Sequence, residues 1–281
     1  MLVCQGRAVA QGRLLPERFD DPIARQLLRP DELEAVDLAR TDGPPKDWKA
    51  RMGYEMLRAN AQVIVPRTVT IDDAVRNHRT PQVVILGAGL DGRAWRMGEL
   101  ATTAVFEVDH PASQADKQDR LVDLPPTAGS VRFVPVDFTR DSLDAQLGAA
   151  DHDTAVPTTW IWEGVVPYLT PAQVESTLVV VESRSAPGSR LIVNYQSPSL
   201  VAAGGRLVGR VAVMLSRGTD PLAKEPRRSA WTPSRLGQRL SRHHFTVISD
   251  DDLLTLAHQL GLIARARRSL GSGRVAVADR E

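Results

Sequence analysis

An α/β fold, with a mostly parallel sheet and helices on both faces, is predicted by two features of this 281-residue sequence. Short apolar stretches alternate with helix-compatible stretches from residue 82 to residue 195, a rhythm typical of strand–helix–strand units joined by right-handed crossovers. The first apolar stretch ends in a Gly-x-Gly turn, and glycines let the backbone turn sharply where such sheets bind nucleotide-like ligands. A ligand crevice is therefore predicted at the carboxyl end of the first strand.

The predicted elements follow in order along the chain. Residues 1–78 predict a helical N-terminal cap, interrupted by prolines and by the Gly43-Pro44-Pro45 turn. Five strands are predicted at 82–87, 103–108, 131–136, 158–162 and 189–195. Four helices are predicted between and after them, near 91–100, 111–121, 140–148 and 171–185.

Two further strands, at 262–268 and 274–278, are predicted after a helix near 250–260. The Gly271-Ser272-Gly273 turn between them predicts an antiparallel hairpin at the sheet edge. A parallel sheet closed by such a hairpin favours the methyltransferase version of a nucleotide-binding fold. We expect a single domain spanning 1–281, with its core at 80–196 and 245–281 and an insertion at 197–244.

The insertion is strongly basic. Segment 200–243 carries nine lysines and arginines against two acidic residues, a local balance of +7. Because loops past the carboxyl ends of strands line the crevice in such sheets, we expect this segment to cover the substrate. Its charge fits an anionic acceptor, such as a carboxylic acid, but equally a solvated or subunit-contacting basic face.

The overall composition excludes several classes of protein. The net charge of +1 provides no general attraction to nucleic acid or to an anionic membrane, and no apolar run reaches the roughly 18 residues of a membrane span. Cys4 is the only cysteine, which excludes an internal disulfide and a cysteine-rich metal site. We expect a cytoplasmic protein without a metal, a monomer or a homodimer, that acts on a small molecule.

The glycine turn has three interpretations from the residues alone. Gly87, Gly89 and Gly92 satisfy the G-x-G-x-x-G dinucleotide fingerprint, and Glu107 and Asp109 lie where a ribose-binding acid is expected. An NAD-dependent oxidoreductase is therefore one hypothesis. A cofactor without phosphates is the second, and a plain strand-to-helix turn without any cofactor is the third.

Acidic residues after the first four strands favour the cofactor without phosphates. We expect Asp91, inside the turn, to direct its carboxylate to the position of a pyrophosphate and to repel it. Asp137-Phe138 follows the third strand, where an acid and an aromatic ring could bind an adenine, and Glu163 follows the fourth. Together they predict an electronegative crevice suited to a cationic sulfonium amino acid.

These residues resemble a known family, the class I S-adenosylmethionine-dependent methyltransferases of the leucine carboxyl methyltransferase type, in its bacterial O-methyltransferase branch. The resemblance depends on three motifs, Leu86–Arg96, Phe106–Pro111 and Trp162–Leu169, with weaker matches at Asp21–Ala24 and Pro66–Asp73. It implies a Rossmann-like class I methyltransferase fold, with a seven-stranded mostly parallel sheet, and S-adenosyl-L-methionine as the cofactor.

The resemblance also implies roles for individual residues. Arg67 would pair with the cofactor carboxylate, Gly87 and Gly89 would pass under its methionine part, Asp91 would lie beside them, Asp109 would bind the ribose, Asp137 and Phe138 the adenine, and Glu163 the amino group. Lys117 is a further family feature, and Gly92 departs from the threonine that relatives usually carry. The N-terminal part lacks the lysine- and tyrosine-containing segment by which eukaryotic relatives recognise a protein phosphatase.

The reaction implied is in-line transfer of a methyl group to oxygen, of a small-molecule carboxylate or hydroxyl. Tyr168 and Tyr195, near the ends of the fourth and fifth strands, are candidates for contacts with the acceptor. His110, His243 and His244 are the histidines considered as a base, and none is assigned a catalytic role. An NAD(P)-dependent oxidoreductase and a non-catalytic S-adenosylmethionine-binding protein are the alternative hypotheses.

Overall fold

The computed structural model describes residues 1–138, 140–198, 228–264 and 267–281. Its centre is a seven-stranded sheet in the order β3-β2-β1-β4-β5-β7-β6. The strands are β1 Gln82–Leu86, β2 Ala104–Asp109, β3 Ser130–Pro135, β4 Thr158–Trp162, β5 Arg190–Gln196, β6 Phe245–Asp252 and β7 Gly273–Arg280. Strands β1 to β5 are parallel, and β7 is antiparallel to both β5 and β6. The predicted seven-stranded mixed sheet with antiparallel C-terminal strands is confirmed.

The predicted hairpin is placed wrongly. Besides β5, β7 pairs with β6, at 245–252. Of the predicted strand at 262–268, residues 265 and 266 lie outside the described residues, and the segment from Arg267 onward is helical. Helices α10 Leu253–Gln259 and α11 Arg267–Leu270 lie between the two strands. The acidic residues at 250–252 look like a helix start, but only Asp252 caps α10, by accepting from the N–H groups of Leu254 and Thr255. Asp250 and Asp251 belong to the edge strand β6, where Asp250 pairs with Arg274 of β7 at 2.8 Å.

Helices cover both faces of the sheet. The N-terminal part contributes α1 Leu2–Ala10, α2 Ile23–Gln26, α3 Pro30–Ala39 and the long α4 Trp48–Arg76. The later helices are α5 Arg93–Arg96, α6 Pro111–Arg120, α7 Leu143–Ala149, α8 Pro171–Ser183 and α9 Pro233–Arg242. The helix predicted at 91–100 is broken, because α5 ends at Arg96 and a separate 3-10 turn occupies Gly98–Leu100.

Alternate side chains of the strands enter two different cores. From β1, Val83 and Ile85 face the core that includes α1 and α4, while Val84 and Leu86 face the core that includes α8 and α9. This two-sided burial is the reason that β1 is apolar throughout, as strands of a covered parallel sheet are. None of the helices in the described ranges has both the length and the apolar character needed to cross a bilayer.

Candidate active site

The glycine turn lies at the carboxyl end of β1 and is fastened to β2. The N–H groups of Gly87 and Ala88 donate to the Val108 carbonyl at 2.8 and 3.1 Å. Gly87 has a φ of +68°, and a Cβ atom there would lie 2.3 Å from Cγ2 of Val165. Gly89 has a φ of +48°, but a Cβ atom there would meet open space, with Oδ2 of Asp109 as its nearest neighbour at 4.0 Å. The turn therefore forms a cradle without side chains beside an acid.

Asp109 is the acid that faces this cradle. Its Oδ2 accepts from the Gly89 N–H at 2.5 Å and its Oδ1 accepts from the His110 N–H at 2.6 Å. Glu107, the other candidate for the ribose-binding acid, is buried and forms a 2.5 Å ion pair with Nζ of Lys117. Burial raises the pKa of the Glu107 carboxyl to about 7, against the opposing effect of Lys117. Because Glu107 is already paired, Asp109 is the acid of β2 that fits a ribose.

Eight buried charged side chains form an ion cluster beneath the turn. It consists of Arg7, Arg67, Arg93 and Arg96 with Asp21, Asp72, Asp91 and Glu163. At its centre, Arg93 pairs with Asp72 at 2.7 Å, with Asp91, and with Glu163 at 2.8 Å. Four positive and four negative groups balance in charge, as buried ions must to offset the cost of desolvation.

The ion cluster connects elements that are distant in the chain. Arg67 of α4 pairs with Glu163, just after β4, at 2.7 Å. Arg96 joins Asp72 of α4, at 2.7 Å, to Asp21 of the N-terminal part, at 3.4 Å. Arg7 of α1 also pairs with Asp21, at 3.4 Å. The N-terminal part is thereby attached to the residues around the turn.

The Asp91 carboxylate is paired within the protein and does not stand free in the crevice. It accepts from the N–H and the guanidinium of Arg93. Burial acts to raise the pKa of the Asp91 carboxyl, but Arg93 and Arg7 outweigh burial and hold that pKa below its usual range. Asp91 is therefore ionised inside the ion cluster. A contribution of this residue to cofactor binding stays a prediction.

Glu163 is also turned towards arginines. Burial acts to raise its pKa, while Arg93, Arg67 and Arg7 together hold the pKa well below the usual range for a glutamate. The crevice is consequently less electronegative than the acidic residues alone predict, because the negative charges of Asp91 and Glu163 are compensated by arginines. The predicted contact of Glu163 with an amino group stays a prediction.

Within the described residues, some donors of the ion cluster have no acceptor. Nη2 of Arg67, Nη2 of Arg93 and Nε of Arg7 are buried and have no hydrogen-bond partner. Buried donors are normally satisfied, so unsatisfied guanidinium N–H groups in the ion cluster around the turn fit a ligand that carries a carboxylate. The amino-acid end of S-adenosylmethionine meets this requirement.

The predicted adenine contacts lie together at the carboxyl end of β3. Asp137 accepts from Nε of Arg140 at 2.9 Å and lies 3.9 Å from Nε2 of His110. Phe138 follows it and is exposed. The Val136 N–H donates to the Asp109 carbonyl at 2.9 Å. This bond ties the adenine candidates to the ribose candidate.

The two tyrosines proposed to border the acceptor differ in environment. Tyr168 ends the 3-10 turn Val166–Tyr168 after β4 and is partly exposed. Tyr195 lies inside β5, fully buried, and its hydroxyl donates to Oδ2 of Asp250 at 2.6 Å and accepts from Nε of Arg274 at 3.0 Å. Burial and Asp250 raise the pKa of the Tyr195 hydroxyl above its usual value, so this hydroxyl stays protonated.

Part of the basic insertion lies outside the described residues, namely 199–227. The described part begins beside the crevice, where the N–H of Arg228 donates to the Pro167 carbonyl at 2.7 Å and that of Trp231 to the Gln196 carbonyl at 2.8 Å. It continues into α9, whose Arg239 pairs with Glu175 of α8. This arginine of the basic insertion is therefore engaged in an ion pair between two helices of the protein.

The histidines considered as bases have structural contacts. Nδ1 of His110 accepts from the Ala112 N–H at 3.2 Å and so caps α6. His243 is buried between two glutamates of α8, with Nδ1 2.6 Å from Glu182 and Nε2 3.3 Å from Glu175. His244 lies 3.4 Å from Glu182. None of the three touches the glycine turn.

Several residues of the site were not predicted from the sequence. Arg93, Arg96 and Asp72 belong to motifs that carry the family resemblance, but no role followed from it. Arg7 has no sequence signal of this kind, because a lone arginine on a short helix gives no indication of burial. Asn194 of β5 was also missed, although its Oδ1 accepts from the Gly164 N–H at 3.3 Å and lies 3.5 Å from Nη1 of Arg67.

Comparisons with known proteins point to one family. The family model "Leucine carboxyl methyltransferase" matches residues 1–182. A protein of Streptomyces coelicolor named "Putative S-adenosyl-L-methionine-dependent methyltransferase" is 35% identical over 212 residues, which cover 73% of this chain and 74% of the relative. A protein of the same descriptive name from Mycolicibacterium vanbaalenii is 35% identical over 214 residues, 71% of this chain and 66% of the relative. The match thus spans about two thirds of that second relative.

Solved structures share the fold. A DUF574 family protein of Streptomyces avermitilis aligns with a TM-score of 0.56 and 14% identity, over 98% of this chain and 97% of its own. A protein of Thermobifida fusca described as a "putative methyltransferase" aligns with a TM-score of 0.56 and 15% identity, over 99% and 94%. At such low identity these neighbours show the architecture alone.

Proposed function

The chain belongs to the leucine carboxyl methyltransferase family and is an S-adenosylmethionine-dependent methyltransferase, and we propose that it methylates an oxygen of a small-molecule carboxylate. A hydroxyl oxygen is the second candidate acceptor. The cofactor is supported by the unsatisfied guanidinium donors near an open glycine cradle, which suit its amino-acid end. The carboxylate acceptor is supported by the pairing of Glu163 and Tyr195 within the protein.

Residues from helix α4 and from three strand ends would hold the cofactor. Arg67 would pair with the cofactor carboxylate, and Asp109 would bind the ribose hydroxyls of the cofactor. Gly89, which has no side chain, would let the cofactor approach the protein backbone closely. Asp137 and Phe138 would contact its adenine. When bound, S-adenosylmethionine supplies a methyl group that is already activated by the positive sulphur.

The protein's own contribution is then alignment of the acceptor and exclusion of water. A carboxylate is ionised at neutral pH and needs no base, whereas a hydroxyl needs a proton acceptor nearby. In the described residues after β4 and at the end of β5, Glu163 is engaged by Arg93 and Tyr195 by Asp250, while Tyr168 is partly exposed. Because Glu163 and Tyr195 are not free to act as a base, we favour a carboxylate acceptor.

The first experiment tests the cofactor. We expect S-adenosylhomocysteine to raise the melting temperature of the protein and NAD to leave it unchanged. Stabilisation by NAD alone would contradict the methyltransferase assignment and favour the oxidoreductase hypothesis.

The second experiment tests the acceptor. The protein is incubated with methyl-labelled cofactor and matched pairs of small molecules, each a carboxylic acid and the corresponding alcohol. A methyl ester releases labelled methanol in mild alkali and a methyl ether does not, so we expect base-labile label on the acids. Base-stable label would contradict the carboxylate proposal, and cofactor binding without transfer to any acceptor in a broad panel would favour a non-catalytic binding protein.

A further inference from the structure

We propose that Arg93, although it lies beneath the crevice, is a positioning residue that fixes Arg67 and Glu163 at the amino-acid end of the cofactor. The inference depends on the proposed function, because it concerns binding of S-adenosylmethionine. Neither the family match nor the sequence motifs assign a role to this arginine.

The geometry of Arg93 is that of a shared support. Its side chain is completely buried, and its guanidinium reaches carboxylates of three separate segments: Asp72 of α4, Asp91 of the glycine turn, and Glu163 after β4. Burial of such a group is tolerated only when its charge is paired on several sides. The position of Arg93 is therefore set by the fold and not by a ligand.

Glu163 transmits this position to Arg67. Oε2 of Glu163 lies 2.8 Å from Nη1 of Arg93, and its Oε1 lies 2.7 Å from Nε of Arg67. Glu163 is thus clamped between two guanidinium groups, and Nη2 of Arg67 is left without an acceptor. The same clamp leaves an unpaired donor at the place where a ligand carboxylate fits.

Asp72 supports the same arrangement from α4. It pairs with Arg93 through Oδ1 and with Arg96 through Oδ2, both at 2.7 Å. Asp72 and Arg67 lie on one helix, five residues apart. Arg93 therefore holds both the helix that carries Arg67 and the carboxylate that orients it.

The test uses a variant that keeps the ion cluster balanced. Arg93→Met alone would leave four carboxylates with three arginines and could unfold the protein. The double variant Arg93→Met/Asp72→Asn removes one charge of each sign, and Arg93→Lys keeps the charge but loses the planar three-way contact.

Two ligands separate positioning from simple stability. S-adenosylhomocysteine carries the amino-acid group, and 5′-methylthioadenosine has the same adenosine without it. We expect the double variant to bind S-adenosylhomocysteine at least tenfold more weakly and 5′-methylthioadenosine within twofold of the wild type. Arg93→Lys should also weaken binding of S-adenosylhomocysteine more than binding of 5′-methylthioadenosine, but by a smaller factor. Equal losses for both ligands, or no loss for either, would overturn the positioning role.

A matched control is Arg120→Met. Arg120 is also a nearly buried arginine, and it joins two carboxylates, Glu32 and Asp116, but it lies outside the ion cluster. We expect this variant to lose stability while the ratio of the two affinities stays at the wild-type value. Failure of the wild type to bind S-adenosylhomocysteine would contradict the proposed function itself, and so differs from failure of this inference.

Discussion

Removal of the Asp109 carboxylate tests the cofactor site most directly. In the structure this carboxylate accepts two backbone N–H groups, from Gly89 and His110. These bonds fix its direction before any ligand arrives, so little ordering is left to be done on binding. The proposed ribose contacts would add hydrogen bonds to a charged group, each of which contributes about 1.5–3 kcal/mol.

Water would replace part of these hydrogen bonds in the variant, which reduces the loss of binding free energy. We expect Asp109→Ala to weaken S-adenosylhomocysteine binding by at least tenfold, or about 1.4 kcal/mol. Isothermal titration calorimetry measures this affinity. Asp109→Asn keeps an oxygen acceptor without the charge and should lose less. Asp119→Ala, which removes an exposed aspartate of the neighbouring α6, should leave the affinity unchanged. Unchanged affinity in Asp109→Ala, with the protein still folded by its melting curve, would refute the assignment.

Three further outcomes are expected. Arg67→Ala should lower S-adenosylhomocysteine affinity at least tenfold in the same calorimetric assay, because Nη2 of this arginine has no acceptor in the described protein. Gly87→Ala should lower the free energy of unfolding by roughly 2 kcal/mol or more, and with it the melting temperature, because its Cβ would lie 2.3 Å from Val165 at a φ of +68°. Gly98→Ala, with nothing within 4 Å of its Cβ, should leave the melting temperature unchanged. Burial lowers the pKa of His152 to about 4 from an ordinary 6.5, so the unfolded chain binds a proton at this histidine more readily than the folded protein does. Urea titrations should therefore show the free energy of unfolding falling as the pH drops from 6.5 towards 4. His152→Asn should remove the contribution of this histidine to that pH dependence.

The alternation of strands and helices made most of the sheet predictable. Four of the five parallel strands are buried on both faces or nearly so, and such strands appear in the sequence as continuous apolar stretches; the edge strand β3 is only partly buried. Strand β4 has the predicted bounds, β1 ends one residue early, and β2, β3 and β5 are each shifted by one residue. Strand β6 was missed for the opposite reason. It is an edge strand that ends in three aspartates, and its polar pattern resembles a helix start.

The site was only partly predictable, because its charges are paired through space. The positions of Gly87, Gly89 and Asp109 follow from a local turn, and the structure places these residues together. The partners of Glu163 could not be predicted in this way. Its arginines come from α4 and α5, and no local spacing shows that helices 70 or more residues away in the chain carry the counter-charge.

The ion cluster also provides a different reason for the exclusion of a dinucleotide. In dinucleotide-binding folds the pyrophosphate rests on the free N–H groups at the start of the helix that follows the glycines. Here the Arg93 N–H, at the start of α5, already donates to Oδ1 of Asp91 at 2.8 Å. A Cβ atom at Gly92 would lie only 3.3 Å from Oδ1 of Asp21 and from the Ile23 side chain. The backbone donor on which a pyrophosphate would rest is thus already bonded to a carboxylate of the protein, and this reason against a dinucleotide does not depend on a net negative crevice.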